Sequence, residues 1–202
     1  QRDLRRPSCG WIVQQLIHPL LTGIAKATYS IGLGKIILAL SKKLGLISRP
    51  VEPQERHGEP PSFAFQTLAE PLARLALHQY QKRERFQTHR DELARYYHNA
   101  LADTAYTLPP ILSERPSIFL RYTIRHPQAE RILEQAKAKQ IFLGDWYRTA
   151  IAPLPVDYQA IRYTPCPNAE RVATETINLP TDIHISLEDA AHIVTFLKSS
   201  SL

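Results

Sequence analysis

Residues 165–181 read PCPNAERVATETINLPT, and the reading of this string decides the fold. Pro165 and Pro167 fix the chain ahead of a short helix, because proline sets its own φ and pushes the residue before it towards extended backbone. That helix is expected from Asn168 to about Thr174, with Asn168 as its cap. Glu175–Pro180 follows as a strand, ended by Pro180. Asn168 and Glu170 are therefore assigned to shaping the turn, with no contact to a substrate.

The flanking sequence supplies partners for this strand. In SIFLRYTIRH, residues 117–126, Ile118, Leu120, Tyr122 and Ile124 alternate with Phe119, Arg121, Thr123 and Arg125, the period of a half-buried strand. His126-Pro127 opens a helix whose apolar stripe is Ile132, Leu133 and Ala136. IFLGDW, residues 141–146, predicts another short strand. Ser186-Leu187-Glu188-Asp189 resembles a capping box with Asp in the Glu position. It starts a last helix with Leu187, Ala190, Ile193, Val194 and Leu197 on its core face. The C-terminal 95 or so residues thus predict a compact α+β unit, a short antiparallel sheet packed with helices.

Further upstream the pattern is helical. Leu68, Leu72 and Leu75, then Leu93, Tyr97 and Leu101, predict one long helix over 67–103. Lys82-Arg83-Glu84-Arg85 inside it reads as a solvated face. PVEPQERHGEPPS, residues 50–62, has four prolines and a glycine and is read as a linker without regular structure. Residues 11–47 are apolar and predict two helices, about 10–27 and 33–44. No acidic residue occurs between Asp3 and Glu52, whereas Arg5, Arg6, Lys26, Lys35, Lys42, Lys43 and Arg49 are basic. No apolar run approaches the roughly 20 residues that span a bilayer. Two readings stay open for 11–47: a helical layer packed on a partner domain, or a basic amphipathic segment resting on anionic lipid as a peripheral membrane contact. The expected organisation is an apolar basic helical segment 1–49, a linker 50–62 and an α+β domain 63–202.

The totals exclude several classes. With 202 residues and 44% hydrophobic content the chain can bury a core. A formal charge of +6 accommodates anionic partners without choosing one. Cys9 and Cys166 stand far apart, so neither a zinc site nor a disulfide framework is expected, and reduced thiols fit a cytoplasmic protein. Gly32-Leu33-Gly34-Lys35 lacks the spacing of a phosphate loop. Arg2, Arg5, Arg6, Arg83 and Arg85 have no stacking aromatics among them, so nucleic acid is not an expected partner. His184, between Ile183 and Ile185, is expected at an exposed strand edge. The chain starts with Gln1 and contains no methionine, which predicts a processed product or a piece of a longer protein.

Taken in order, FLRYTIR, GDWY, CPNAERVATETINLPT and ISLEDAAHIVTFLK resemble the C-terminal domain of DegT/StrS-type sugar aminotransferases. LAEPLARLALHQYQKRERFQTHRDELARYY resembles the family's long helix, so the likeness covers about 62–199. The 11–50 segment is more weakly similar to a helical stretch that some relatives carry there. The resemblance implies the small domain of a fold type I pyridoxal-phosphate enzyme that moves an amino group, typically from glutamate, to a nucleotide-linked keto sugar. It also implies a large N-terminal domain that holds the Schiff-base lysine and most of the phosphate cradle, and a homodimer as the full-length protein. None of Lys26, Lys35, Lys42, Lys43, Lys82, Lys137, Lys139 and Lys198 stands in the family's Ser-x-x-x-x-Lys setting. Ser62–Thr67 occupies the place of the family's Asn-Tyr-Arg-like loop. The chain by itself is therefore expected to be inactive, with no catalytic residue of its own. Its expected role is to close the cleft and present Trp146, Tyr147 and Arg148 to the nucleotide sugar. A non-catalytic interaction module and a membrane-surface protein are the rival expectations.

Overall fold

The computed structural model describes residues 4–29, 31–48, 51–112, 114–115, 117–152 and 155–200. These divide into two compact units, Gln1–Gln81 with Pro155–Arg162, and Lys82–Leu154 with Tyr163–Leu202. The boundary expected at 49/50 lies outside the described residues.

In the first unit, α1 (Cys9–Ala27) and α2 (Leu33–Lys43) form a hairpin. Ser8 caps α1 by accepting from the Trp11 N–H at 3.2 Å. The helix runs through Pro19, and Thr22 Oγ donates to the carbonyl oxygens of His18 and Pro19. The two helices meet at Gly34. A Cβ there would stand 2.0 Å from the Ala25 carbonyl oxygen, so only glycine permits the approach. Gln14 Nε2 donates to the Gly45 carbonyl oxygen at 2.6 Å, and His18 Nδ1 lies 3.1 Å from Ser48 Oγ, tying the open end of the hairpin.

The linker has more order than its composition predicts. Pro53–His57 is a 3₁₀ turn. The Glu52 carboxylate accepts from Ser62 N–H and Ser62 Oγ and from Gln54 Nε2, at 2.5, 2.6 and 2.7 Å. The two Ser62 bonds hold its pKa below the usual carboxylate value. Proline prevents long helices, but it suits the first position of a short turn.

The helix expected over 67–103 is two helices, α3 (Glu70–Tyr80) and α4 (Arg83–Leu101). Every residue from Tyr80 to Arg85 is exposed. Gln81 and Lys82 form the turn between them, with Lys82 outside helical backbone at φ −94° and ψ 3°. The division into units falls at this break.

The second unit carries the core. Leu93, Ala94, Tyr97 and Leu101 of α4 face β1 (Arg121–Arg125), α5 (Ala129–Ala138), β2 (Thr176–Pro180) and α7 (Leu187–Ser200). α6 (Pro167–Glu175) runs directly into β2. β1 and β2 pair antiparallel, with Tyr122 opposite Leu179 and Ile124 opposite Ile177. All four are fully buried on one face, the period-2 pattern read from the sequence. The alternation does not extend upstream, since Ile118 and Leu120 are exposed. Thr107 adds a bridge outside β1, and Gly144 one outside β2. The strand expected at 141–146 is thus a single bridged residue. Ser186 and Asp189 close the predicted box reciprocally, Ser186 N–H to Asp189 Oδ2 at 2.9 Å and Asp189 N–H to Ser186 Oγ at 3.0 Å. Leu187, expected in the core, is exposed, and Phe196 is buried instead. His184 lies in a turn, not at a strand edge.

Candidate functional site

β2 pairs with β1 along one edge and is bridged by Gly144 on the other, and its buried polar residues Thr176 and Asn178 alternate with Ile177 and Leu179 of the core. Asn178 lies opposite Thr123 on one side and exchanges two 2.8 Å backbone hydrogen bonds with Gly144 on the other. Its side chain is 4% exposed, and Nδ2 is buried without a hydrogen-bond partner among the described residues. A buried amide left unpaired costs roughly 1–3 kcal/mol, so this donor marks a place where a further acceptor is wanted.

Beside it, the chain leaves the sheet at Asp145 and exposes two aromatic rings. Trp146 and Tyr147 are 55% and 58% exposed and stack on each other, with centroids 5.7 Å apart and planes at 13°. The Arg121 guanidinium lies over the Trp146 ring at 3.9 Å. This is cation–π distance, and a desolvating ligand strengthens such a contact. Gly144 makes the arrangement possible. A Cβ on it would come within 2.7 Å of Arg121 Nη1 and 3.0 Å of Asn178 Cβ.

Trp146, Tyr147 and Arg148, the three residues expected to face a substrate, are all exposed here. Only the first two share a stacked surface. Arg148 Nε is 3.0 Å from Asp145 Oδ2 and Nη1 is 3.7 Å from Glu130 Oε1, so two carboxylates already meet its charge. The cation over the indole is Arg121. Sequence reading placed Arg121 on the outer strand face and went no further. Its position opposite Pro180, two pairs from the Thr123–Asn178 pair, is set by strand register.

The polar string that leads into β2 has a structural explanation that differs from expectation in the residue that caps α6. Cys166, not Asn168, is the N-cap of α6, with Pro167 as the first helical residue. The Asn168 side chain is exposed at the second helical position. Capping falls to Glu170, whose Oε1 accepts from the Tyr163 hydroxyl at 2.7 Å and the Cys166 N–H at 3.1 Å. The Tyr163 hydroxyl, and then the Cys166 N–H, hold the Glu170 pKa below its ordinary value. A carboxyl of lowered pKa stabilises the fold above its ordinary pKa and loses that contribution as pH falls through the folded value. Glu170→Ala is therefore expected to lower the melting temperature at pH 7 and to shrink that difference in acid, whereas Asn168→Ala changes neither. Calorimetry at pH 7 and pH 3 checks both, and an Asn168→Ala loss larger than that of Glu170→Ala contradicts the assignment.

Other features offer no competing centre. A shallow depression of about 320 Å³ is lined by Thr88, Asp91, Glu92 and Arg95 of α4, polar groups of mixed charge. Among the described residues no three His, Cys, Asp or Glu side chains gather as a metal site would require.

The profile of the DegT/DnrJ/EryC1/StrS aminotransferase family matches residues 59–198, which include Arg121, Trp146 and Asn178. Among solved structures, S. venezuelae DesV in complex with a ketimine intermediate is similar at TM-score 0.59 and 18% identity, over 74% of this chain and 45% of that one. The sugar aminotransferase CalS13 from Micromonospora echinospora is similar at TM-score 0.58 and 17% identity, over 75% of this chain and 41% of that one. Helicobacter pylori PseC, an aminotransferase involved in the biosynthesis of pseudoaminic acid, is similar at TM-score 0.55 and 21% identity, over 71% of this chain and 42% of that one. The chain thus spans less than half the length of each. The comparison with curated proteins gave no match.

Proposed function

The chain belongs to the DegT/DnrJ/EryC1/StrS aminotransferase family, and we propose that it is the substrate-closing portion of an enzyme that transfers an amino group to a nucleotide-linked keto sugar. The observation that carries this reading is the cluster of Arg121, Trp146 and Tyr147 beside the unpaired Asn178 amide. An exposed indole and phenol offer flat surfaces to a base or a sugar ring. A guanidinium suits a phosphate, and a buried amide donor suits a carbonyl or hydroxyl oxygen. In this reading Arg148 meets the ligand only after leaving Asp145 and Glu130.

The family generally uses pyridoxal phosphate, which when bound carries the amino group between donor and acceptor. The residues of this chain do not fit that group. Lys26, Lys35, Lys42, Lys43, Lys82, Lys137, Lys139 and Lys198 are all exposed. A lysine that reacts with the cofactor is held out of water, which lowers its pKa. That misfit supports a division of labour in which a large domain supplies the lysine and this portion supplies substrate contacts, and a homodimer is part of the proposal.

The test is amino transfer by the full-length protein from glutamate to a nucleotide-linked keto sugar, beside the same sugar without its nucleotide. Turnover is expected with the former and a much higher KM with the latter. Equal efficiency with both sugars, or transfer only to simple keto acids, would contradict the reading.

A further inference from the structure

The α1–α2 hairpin leaves an unusual surface uncovered. On α2 and its C-cap, Leu33, Ile36, Leu40 and Leu44 follow at steps of three and four residues, and all are exposed. On α1, Val13, Leu20 and Ile24 do the same at steps of seven and four. These spacings put each set on one helix face. Tyr29 and Ile31, between the two helices, are exposed as well, the latter 75%. Ala25, Gly34 and Ser41, by contrast, are buried, so the helices face each other through small residues and turn their large ones outward. A single exposed leucine needs no explanation, but large apolar residues exposed in series on one face of each helix, and at Tyr29 and Ile31 between them, mark a contact surface.

The charge around the strip selects its occupant. Lys26 and Lys35 are exposed on either side of the turn, and Lys35 Nζ lies 5.3 Å from the Tyr29 ring centre. Lys42 and Lys43 are exposed at the far end of α2. No acidic residue stands anywhere between Asp3 and Glu52. A protein partner matched to this face would have to be acidic and apolar together. A bilayer surface with anionic headgroups has that combination by nature, with phosphates outside and acyl chains beneath. Tyrosine and lysine at the rim of an apolar tip suit the headgroup layer. Among the described residues no helix is long and apolar enough to cross a membrane, so the hairpin would lie in the interface.

We propose that the α1–α2 hairpin docks the protein on an anionic phospholipid surface, with Ile31 and Leu33 entering the acyl boundary and Lys26 and Lys35 at the phosphates. This is independent of the reaction proposed above. The intact protein is floated with phosphatidylcholine vesicles that do or do not contain phosphatidylserine. Binding to the anionic vesicles is expected, falling at least about tenfold on the neutral ones and falling again as salt rises. Lys26→Glu with Lys35→Glu, and separately Ile31→Ser with Leu33→Ser, should each lower binding about tenfold. All four residues are exposed, so circular dichroism should be unchanged. Binding of equal strength to neutral vesicles overturns the electrostatic half of the proposal. Absence of flotation with either vesicle overturns it altogether. Light scattering that shows an oligomer, made monomeric by the Ile31 and Leu33 substitutions without any flotation, would assign the face to a second copy of the chain instead.

Discussion

Tyr97→Ala is expected to cost the second unit about 3–5 kcal/mol, the range for deleting a buried aromatic side chain. Tyr97 is fully buried on α4. Its ring lies 5.8 Å from that of Tyr122, and its hydroxyl donates to the Pro180 carbonyl oxygen at 3.0 Å. It therefore holds helix, strand and strand end together. Domains of this size are stable by roughly 5–15 kcal/mol, so the loss would bring the urea midpoint close to native conditions. Tyr97→Phe keeps the ring and leaves one carbonyl unpaired, at about 1 kcal/mol. Equal losses for the two variants would place the stability in the hydroxyl and contradict the packing account. Alkali should have a related effect. Burial pushes the Tyr97 pKa up, and pushes Tyr106 and Tyr122 up to about 12 from an ordinary 10. The unfolded chain ionises first, so the contribution of these groups is complete below pH 10 and is lost as pH rises towards 12.

Trp146→Ala should act on the ligand and spare the fold. Stacking of a base on an aromatic ring is worth about 1–3 kcal/mol, which corresponds to roughly a ten- to hundredfold rise in Kd for the nucleotide sugar in the full-length protein. The melting temperature should barely move, because the ring is already more than half in water. Arg121→Ala should weaken nucleotide-diphosphate sugars more than the parent nucleoside, as a lost phosphate contact would. Titration calorimetry reads both. If Trp146→Ala lowers the melting temperature by many degrees and leaves Kd unchanged, the indole is a packing residue and the site lies elsewhere.

The α+β unit was legible where periodicity and punctuation agreed. Leu93, Tyr97 and Leu101 predict the buried face of α4 correctly, and the Ser186–Asp189 box starts α7 as read. The same periodicity misleads at Leu68 and Leu75, which are exposed. Spacing specifies which residues share a face, not whether anything covers it. The break at 81–82 was hidden because Gln81 and Lys82 are ordinary helix formers. It shows only in the backbone, where Lys82 leaves the helical region at φ −94° and ψ 3°. The site was half legible. Trp146 and Tyr147 stand out by composition, but the Arg121 contact depends on strand register, with β1 and β2 some fifty residues apart in sequence. Capping by Glu170 could not be separated from capping by Asn168 until the helix start was fixed at Pro167.

The long reach of the contacts that α4 and its following turn make with β2 and α7 also sets an order of events during synthesis. Tyr97 finds its hydrogen-bond partner 83 residues later, and Tyr106 finds Leu197 after 91. Neither contact can close until β2 and α7 have emerged from the ribosome. Until then α4 and β1 present their apolar faces to water and to chaperones. The α1–α2 hairpin has only a short loop to close and can form as soon as α2 is free. The second unit should therefore become protease-resistant only after α7 has cleared the exit tunnel, and synonymous slowing of translation between α4 and α7 would lengthen exposure of the unfinished core.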